Sequence, residues 1–195
     1  MTFFRRHASP QQLAAESDVN GLFLCVTGKD PKVAKEAVPL LAALVDELDM
    51  APGTHEVLRD LESDASANSI HALEGIVRHD LARSSGVKMG AALALFRLHA
   101  MAELRKIVED IRNGDAAGKQ LHGDLSRNLL GAAVRGHDVE LAKFLLVKGN
   151  FGSAAEVEPA FEMLASGSPE AAQAIAADGS TYSEVAKARA AAART

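Results

Sequence analysis

The sequence predicts an all-α protein built as an α-solenoid of stacked helix–turn–helix units. Alanine and leucine, both strong helix formers, dominate the composition, whereas the chain has no Trp and one Tyr. Apolar residues recur at helical spacing along most of its 195 residues. A pair of short helices with the same outline occurs twice, in Leu129–Gly149 and in Ala160–Gly179. Such pairs bury their apolar flanks by stacking on one another, which predicts the solenoid.

The first clear helix begins after Asp30-Pro31, where Asp is a good N-cap and Pro suits the first helical position. Its apolar stripe runs from Val33 to Leu48, and Pro39 leaves open either a kink or a junction between two helices. Ala51-Pro52-Gly53 ends it. Further helices are predicted over about 54–61, from about 68 up to Ser84-Ser85-Gly86, over 88–99 and over 102–112.

The second half continues the pattern. Residues 115–122 are weakly patterned, and they are predicted to form a helical turn or a loop. Asp124 is predicted to cap a helix that ends at Arg135, and Asp138 to cap the next one. Two more helices are predicted, one from Ser168-Pro169 and an Ala-rich one from Thr181 that closes the array. The total is about ten helices and no strand.

The repeated pair resembles the ankyrin repeat family. The residues that carry the resemblance are Ala132-Ala133, the Gly136-His137 turn, the Glu-Leu-Ala-Lys-Phe-Leu-Leu run of 140–146 and Gly149. It covers residues 127–179 best, and 93–114 and 21–41 resemble degenerate copies with turns at Ala100 and at Thr27-Gly28-Lys29. The family's opening Thr-Pro-Leu-His is absent from both units, so another α-solenoid or an irregular helical bundle remains the alternative.

The resemblance implies one helical repeat domain over residues 1–195. Residues 1–114 would hold degenerate helical pairs, 115–181 two ankyrin-like units, and 182–195 a C-terminal capping helix.

The charge distribution argues against nucleic acid as a partner. The net charge is −5, and binding nucleic acid requires a basic stripe. Seven acidic residues lie close together with Arg59 as the one base among them: Asp46, Glu47, Asp49, Glu56, Asp60, Glu62 and Asp64. We interpret them as a solvated helix edge, with a patch for a basic protein as the alternative.

The chain is predicted to be soluble and cytoplasmic. The first residues lack the apolar stretch of a signal peptide, and no segment approaches the roughly 20 apolar residues that span a membrane. Cys25 lies in an apolar run and is interpreted as a small core residue, which fits a reducing compartment. Export through a signal without a hydrophobic segment stays open.

No catalytic residue, metal site or cofactor is predicted. The seven histidines form no His-Glu-x-x-His motif, and no Cys/His cluster has zinc spacing. Gly28-Lys29 lacks the Ser or Thr that follows the lysine of a phosphate-binding loop.

The leading hypothesis is a non-enzymatic protein–protein interaction module, such as a bacterial immunity or effector protein. The first helices and the loops of stacked units form a concave surface that holds a protein partner. Five residues are predicted to contact the partner there, with Arg135 and Phe151 as anchors: Arg97, Asn128, Arg135, Phe151 and Glu162. The alternative is a helical enzyme or small-ligand-binding protein with a site built from dispersed residues such as His71, His79 and His99.

Overall fold

The computed structural model describes residues 8–167 except 50, 52, 82 and 113–115. These residues form ten α-helices and no strand, so the predicted all-α class is confirmed. The predicted helices after Ser168 and Thr181 lie outside the described residues. The helices are α1 (Pro10–Ala15), α2 (Val19–Val26), α3 (Pro31–Leu48), α4 (Thr54–Asp64), α5 (Ala67–Arg78), α6 (Gly86–Arg97), α7 (Met101–Arg112), α8 (Ala116–Arg135), α9 (Val139–Lys148) and α10 (Ala154–Gly167).

The chain forms two compact units, and the boundary falls within α7, between residues 104 and 105. In the first unit α3 packs against α1, α2 and α5, while α6 packs against α4 and α5. The fully buried apolar side chains of this core include Leu22, Leu41, Val45, Leu61, Leu73, Ile76 and Leu95. The prediction of a single repeat domain stays a prediction.

Helix α3 begins as its sequence predicts. A carboxylate oxygen of Asp30 accepts hydrogen bonds from the backbone amides of Lys32 and Val33, at 2.9 and 3.4 Å. Pro39 lies inside the helix, which continues to Leu48. Of the two alternatives for Pro39, the junction between two helices is therefore excluded.

The predicted boundary between α5 and α6 is wrong. Helix α5 ends at Arg78, and Ser85 starts α6 as its N-cap, with its hydroxyl accepting from the amide of Lys88. Asp49, from the end of α3, accepts from the amide of Val87 at 3.0 Å. Serine favours helix starts because its hydroxyl satisfies an otherwise unpaired amide, so Ser84-Ser85-Gly86 begins a helix here rather than ending one.

Of the described residues, the second unit contains 83–84, 105–112 and 116–167. Helix α10 packs against both α8 and α9, which also pack against each other. The largest fully buried side chains of this unit include Ile107, Ile111, Leu121 and Phe161. Helices α8 and α9, which flank the Gly136 turn, and α10, which ends at Gly167, therefore share one apolar core.

Helix α8 is longer than predicted. It starts at Ala116 and runs through the weakly patterned segment to Arg135. Asp124 consequently lies inside the helix and is not an N-cap. Its carboxylate accepts a hydrogen bond from the Ser84 hydroxyl at 2.6 Å and pairs with Arg127 one turn later. The Asp124 carboxylate therefore has these two side-chain partners in place of the backbone amides that an N-cap residue would bind.

One turn geometry recurs in three helical hairpins. Ser17, His99 and His137 have positive φ values of 54°, 55° and 53°. The amide of each following residue donates to the carbonyl five residues earlier, at 2.8–3.0 Å, as in the Schellman helix ending. The aspartates that follow Ser17 and His137 also cap the next helix, each at 2.9 Å. The hairpins α1–α2, α6–α7 and α8–α9 thus share a local design.

This geometry corrects the predicted turn register. The left-handed residue of the Gly136-His137 turn is His137. In the turn between α6 and α7 the left-handed residue is His99. Ala100 therefore corresponds to Asp138, which caps α9, and not to Gly136. The segment Thr27-Gly28-Lys29 has no positive φ, and the matching turn lies at Ser17 instead. Local hydrogen bonding, which spacing alone does not reveal, sets this register.

Among the residues that the structure describes, no helix is long and apolar enough to cross a membrane.

Candidate functional site

A cleft of about 370 Å³ opens between α8 and α10 in the second unit. Five residues of α8 form one wall, and Glu156 and Pro159 of α10 contribute the other. The α8 residues follow helical spacing on one face: Arg127, Leu130, Gly131, Val134 and Arg135. We call this feature the α8–α10 cleft.

The cleft combines an apolar floor with charged ends. Leu130, Val134 and Pro159 supply the apolar surface. At one end Arg127 pairs with Asp124 and lies 3.9 Å from a carboxylate oxygen of Glu156. Glu156 also accepts a hydrogen bond from the backbone amide of Gly152 at 3.2 Å. Both charges at this end are therefore already matched.

The other end of the cleft carries Arg135. Its side chain is exposed, and no hydrogen bond or ion pair joins its guanidinium to another part of the described chain. Gly131 lies one turn before it, where an added Cβ would come within 3.3 Å of the guanidinium tip and meet nothing else. Because Gly131 has no side chain, the guanidinium of Arg135 can lie over it, at the middle of the cleft.

The structure places three of the predicted partner-contacting residues at exposed positions of the second unit. Arg135 lines the cleft, and Glu162 is exposed on α10. Asn128 is exposed on α8, where its side-chain amide donates to the carbonyl of Asp124 at 2.9 Å. The cleft lining includes Arg135 but neither Asn128 nor Glu162.

Phe151 is not at the surface, since its side chain is only 7% exposed. The preceding Asn150 ties this segment to α8, because its amide donates to the Ser126 hydroxyl at 3.0 Å. The ring then lies against Gly149, with two ring carbons within 3.0 Å of where a Cβ would be. Phe151 therefore belongs to the core in this structure, and its assignment as a surface anchor is corrected.

Arg97 lies on α6, in the first unit, whereas the other four predicted residues lie in the second. Its guanidinium makes two hydrogen bonds to Glu62, at 2.6 and 2.7 Å. These bonds raise the pKa of Arg97 and lower the pKa of Glu62. A partner that used Arg97 would first have to break this pair.

The three histidines of the alternative hypothesis have separate surroundings. His71 is exposed and lies 3.8 Å from Glu74, and His79 contacts Asp46 at 3.1 Å. His99 is the left-handed residue of a turn. Within the described ranges, no hydrogen bond links any two of them.

A buried charge cluster in the first unit was not predicted. Asp46 is 1% exposed and Lys88 is fully buried, and their charged groups are 3.2 Å apart. Asp46 also accepts from the Ser85 hydroxyl at 3.1 Å, and the Lys88 ammonium donates to the carbonyls of His79 and Asp80. The placement of Asp46 on a solvated helix edge is therefore wrong.

Two more residues of the acidic segment, Glu62 and Asp64, are held by contacts within the first unit. Glu62 pairs with Arg97, and Asp64 accepts from the Ser69 hydroxyl at 2.7 Å and from the amide of Ser66. Hydrogen bonding from the side chains of Ser66 and Ser69, and from the Ser66 amide, lowers the pKa of Asp64. One feature of the sequence could have revealed that Asp46 is buried. It lies four residues after Ala42 in an apolar stripe, where a charge needs a buried partner.

Cys25 is half-buried on α2 rather than in the core. Burial, together with the charge of Asp18, raises the pKa of its thiol. The thiol therefore stays protonated near neutral pH, where it is a poor nucleophile.

His122 makes the second unit sensitive to acid. It is 3% exposed on α8, and its Nε2 has no hydrogen-bond partner. Burial lowers the pKa of His122 below 6.5, the nearby charge of Arg112 adds to this, and the carbonyl of Lys148 opposes it. The folded protein therefore holds the neutral imidazole, whereas the unfolded chain binds a proton below about pH 6.5.

We expect the free energy of unfolding to fall as the pH drops below about 6.5, with His122 contributing at most about 1.4 kcal/mol per pH unit. His122→Gln should remove that contribution, since the amide does not titrate. Urea unfolding at pH 7.5, 6.5 and 5.5 measures it. His71→Gln is the matched control, because His71 is exposed. Equal pH profiles for the wild type and His122→Gln would contradict the assignment.

Groups of three or more His, Cys, Asp or Glu side chains able to hold a metal ion are absent from the part of the chain that the structure describes. Comparisons with family models, curated proteins and solved structures give no match.

Proposed function

We propose that this chain is a non-enzymatic protein-binding module, and that its ligand site is the α8–α10 cleft. One observation carries the proposal. The cleft joins an apolar floor to an exposed arginine that has no partner in the described chain. Apolar pockets with a few convergent polar groups are the usual form of a ligand site, and arginine is enriched at interface hot spots.

The position of the cleft fits the ankyrin-like array that the sequence resembles. Helices α8 and α10 are the first helices of two consecutive predicted units, and the first helices line the concave surface of such arrays. The recurring Schellman turn and the packing of α10 on α8 and α9 support the same proposal. A bacterial immunity or effector protein would use this surface to mask a target.

A selection of random peptides on the folded protein tests the proposal. We expect enriched peptides whose binding depends on the cleft. Gly131→Phe should weaken them about tenfold or more, equivalent to about 1.4 kcal/mol, because the ring fills the cleft. The backbone should tolerate the change, since almost any residue is a better helix former than glycine.

Gly131→Ala is the matched control, because it adds a methyl group at the same position and leaves the cleft open. Circular dichroism checks that both variants are folded. If no peptide is enriched, or if the enriched peptides bind Gly131→Phe as tightly as the wild type, the α8–α10 cleft is not the ligand site.

A further inference from the structure

We infer that the α8–α10 cleft takes an acidic peptide, held by one carboxylate on Arg135 and by an apolar side chain on the cleft floor. The inference rests on the proposed function, because it names the ligand class of the same site. It starts from the unequal charges at the two ends of the cleft.

The lining contains three charged residues, of which two are already matched. Arg127 has Asp124 and Glu156 as partners, and Glu156 has Arg127 and the amide of Gly152. Arg135 is left as the charge that a ligand can neutralise without breaking an existing contact. A guanidinium binds a carboxylate through two parallel hydrogen bonds, which gives both affinity and orientation.

A basic peptide fits this cleft poorly. The acidic group in the lining, Glu156, is already engaged by Arg127 and by a backbone amide. A basic side chain would also meet the charge of Arg135. Nucleic acid is also a poor ligand for this cleft, because binding it requires a basic stripe and the cleft offers one unmatched arginine.

The dimensions set the spacing of the ligand's side chains. Arg127 and Arg135 are eight residues apart on α8, which is about 12 Å along the helix axis. The guanidinium of Arg135 reaches back one turn over Gly131, because one of its nitrogens lies 3.3 Å from where a Cβ of Gly131 would be. In an extended peptide, alternate side chains point to the same side and lie roughly 6.6 Å apart.

A carboxylate above Gly131 can therefore meet the guanidinium of Arg135 while an apolar side chain two residues away lies on the floor formed by Leu130, Val134 and Pro159. The motif that fits is an apolar residue, any residue, then Asp or Glu, in either chain direction. The pair between Arg127 and Glu156 closes the opposite end of the cleft.

Fluorescence anisotropy with labelled peptides and the full chain tests this ligand class. The probe is an acetylated Gly-Ser-Leu-Ser-Glu-Ser-Gly peptide, and its variants replace Glu by Gln, Glu by Lys, or Leu by Ser. We expect Glu→Gln and Leu→Ser each to weaken binding about tenfold. Raising the salt concentration should weaken the Glu peptide more than the Gln peptide, because salt screens the ion pair.

Reversing the charge at Arg135 is the most discriminating part of the experiment. Arg135→Glu should weaken the Glu peptide at least tenfold and strengthen the Lys peptide. Lys119→Glu is the matched control, since it makes the same change of charge at an exposed residue of α8, about 24 Å away along the helix axis. It should leave both affinities within twofold of the wild type.

The outcomes separate the two proposals. If peptides without an acidic residue bind as tightly and Arg135→Glu changes nothing, the acidic ligand class is overturned. The proposed function survives that result when Gly131→Phe still weakens binding. If Gly131→Phe has no effect on any bound peptide, the proposed function itself fails.

Discussion

Replacing Lys88 with Met is expected to lower the free energy of unfolding by about 3–5 kcal/mol. The substitution keeps the length of the side chain but removes the charge that faces Asp46 at 3.2 Å. Asp46 would remain almost fully buried without the ammonium that balances its charge, with Ser85 and His79 still in contact with its carboxylate, and the carbonyls of His79 and Asp80 would lose their shared donor. Chemical denaturation followed by circular dichroism at 222 nm measures the change.

Arg97→Met is the matched control, since it also removes the cation of an ion pair in the first unit. Arg97 is 52% exposed, so water compensates Glu62 and the loss should be below about 1 kcal/mol. Adding Asp46→Leu to Lys88→Met should recover much of the stability, because a well-packed apolar pair often equals a buried ion pair. Equal losses for Lys88→Met and Arg97→Met would contradict this account.

Replacing Phe151 with Ala is expected to cost about 3 kcal/mol of stability, typical of removing a buried aromatic ring. The ring is 7% exposed and lies against Gly149, so its removal leaves a void beside the end of α9. Arg135→Ala should change stability by less than about 0.5 kcal/mol, because Arg135 is exposed. Thermal and urea unfolding of the two variants provide the comparison.

Phe151→Leu separates packing from aromatic recognition, because it keeps apolar volume at the same position and should cost about 1 kcal/mol. The opposite result would be informative. If Phe151→Ala stays as stable as the wild type and loses its ligand, the ring is a partner contact and not a core residue.

Much of the fold was predictable because it is encoded locally. The start of α3 follows from Asp30-Pro31, and the start of α9 follows from Asp138. Capping depends on residues within one turn, so neighbours in the sequence determine it. The apolar content and spacing fix the helical class in the same way.

The errors at Asp46 and Asp124 have a common cause, which is contact between residues far apart in the sequence. Asp46 pairs with a lysine 42 positions later, and Asp124 accepts from Ser84, 40 positions earlier. Periodicity shows which residues share a face of a helix, but it does not show which other helix covers that face. Periodicity therefore places Asp46 on an apolar stripe without revealing Lys88 as its partner, and it does not reveal the contact between Asp124 and Ser84.

The candidate site was predicted in part. Arg135 was singled out, and the cleft also contains Arg127, which stands at helical spacing from it. Phe151 was misplaced because its apolar character fits an exposed anchor and a core residue equally well. The hydrogen bond between Asn150 and Ser126 holds this segment against α8, and that contact joins residues 24 positions apart.

The amino-acid sequence by itself determined that the chain is helical and where several helices begin, because backbone propensity and capping act over a few residues. The tertiary structure alone decided that Asp46 and Lys88 meet in a core, that Phe151 is covered, and that α8 and α10 leave a cleft with one unmatched arginine. Those properties depend on which faces meet, and that is set by the summed burial of apolar surface across the whole unit.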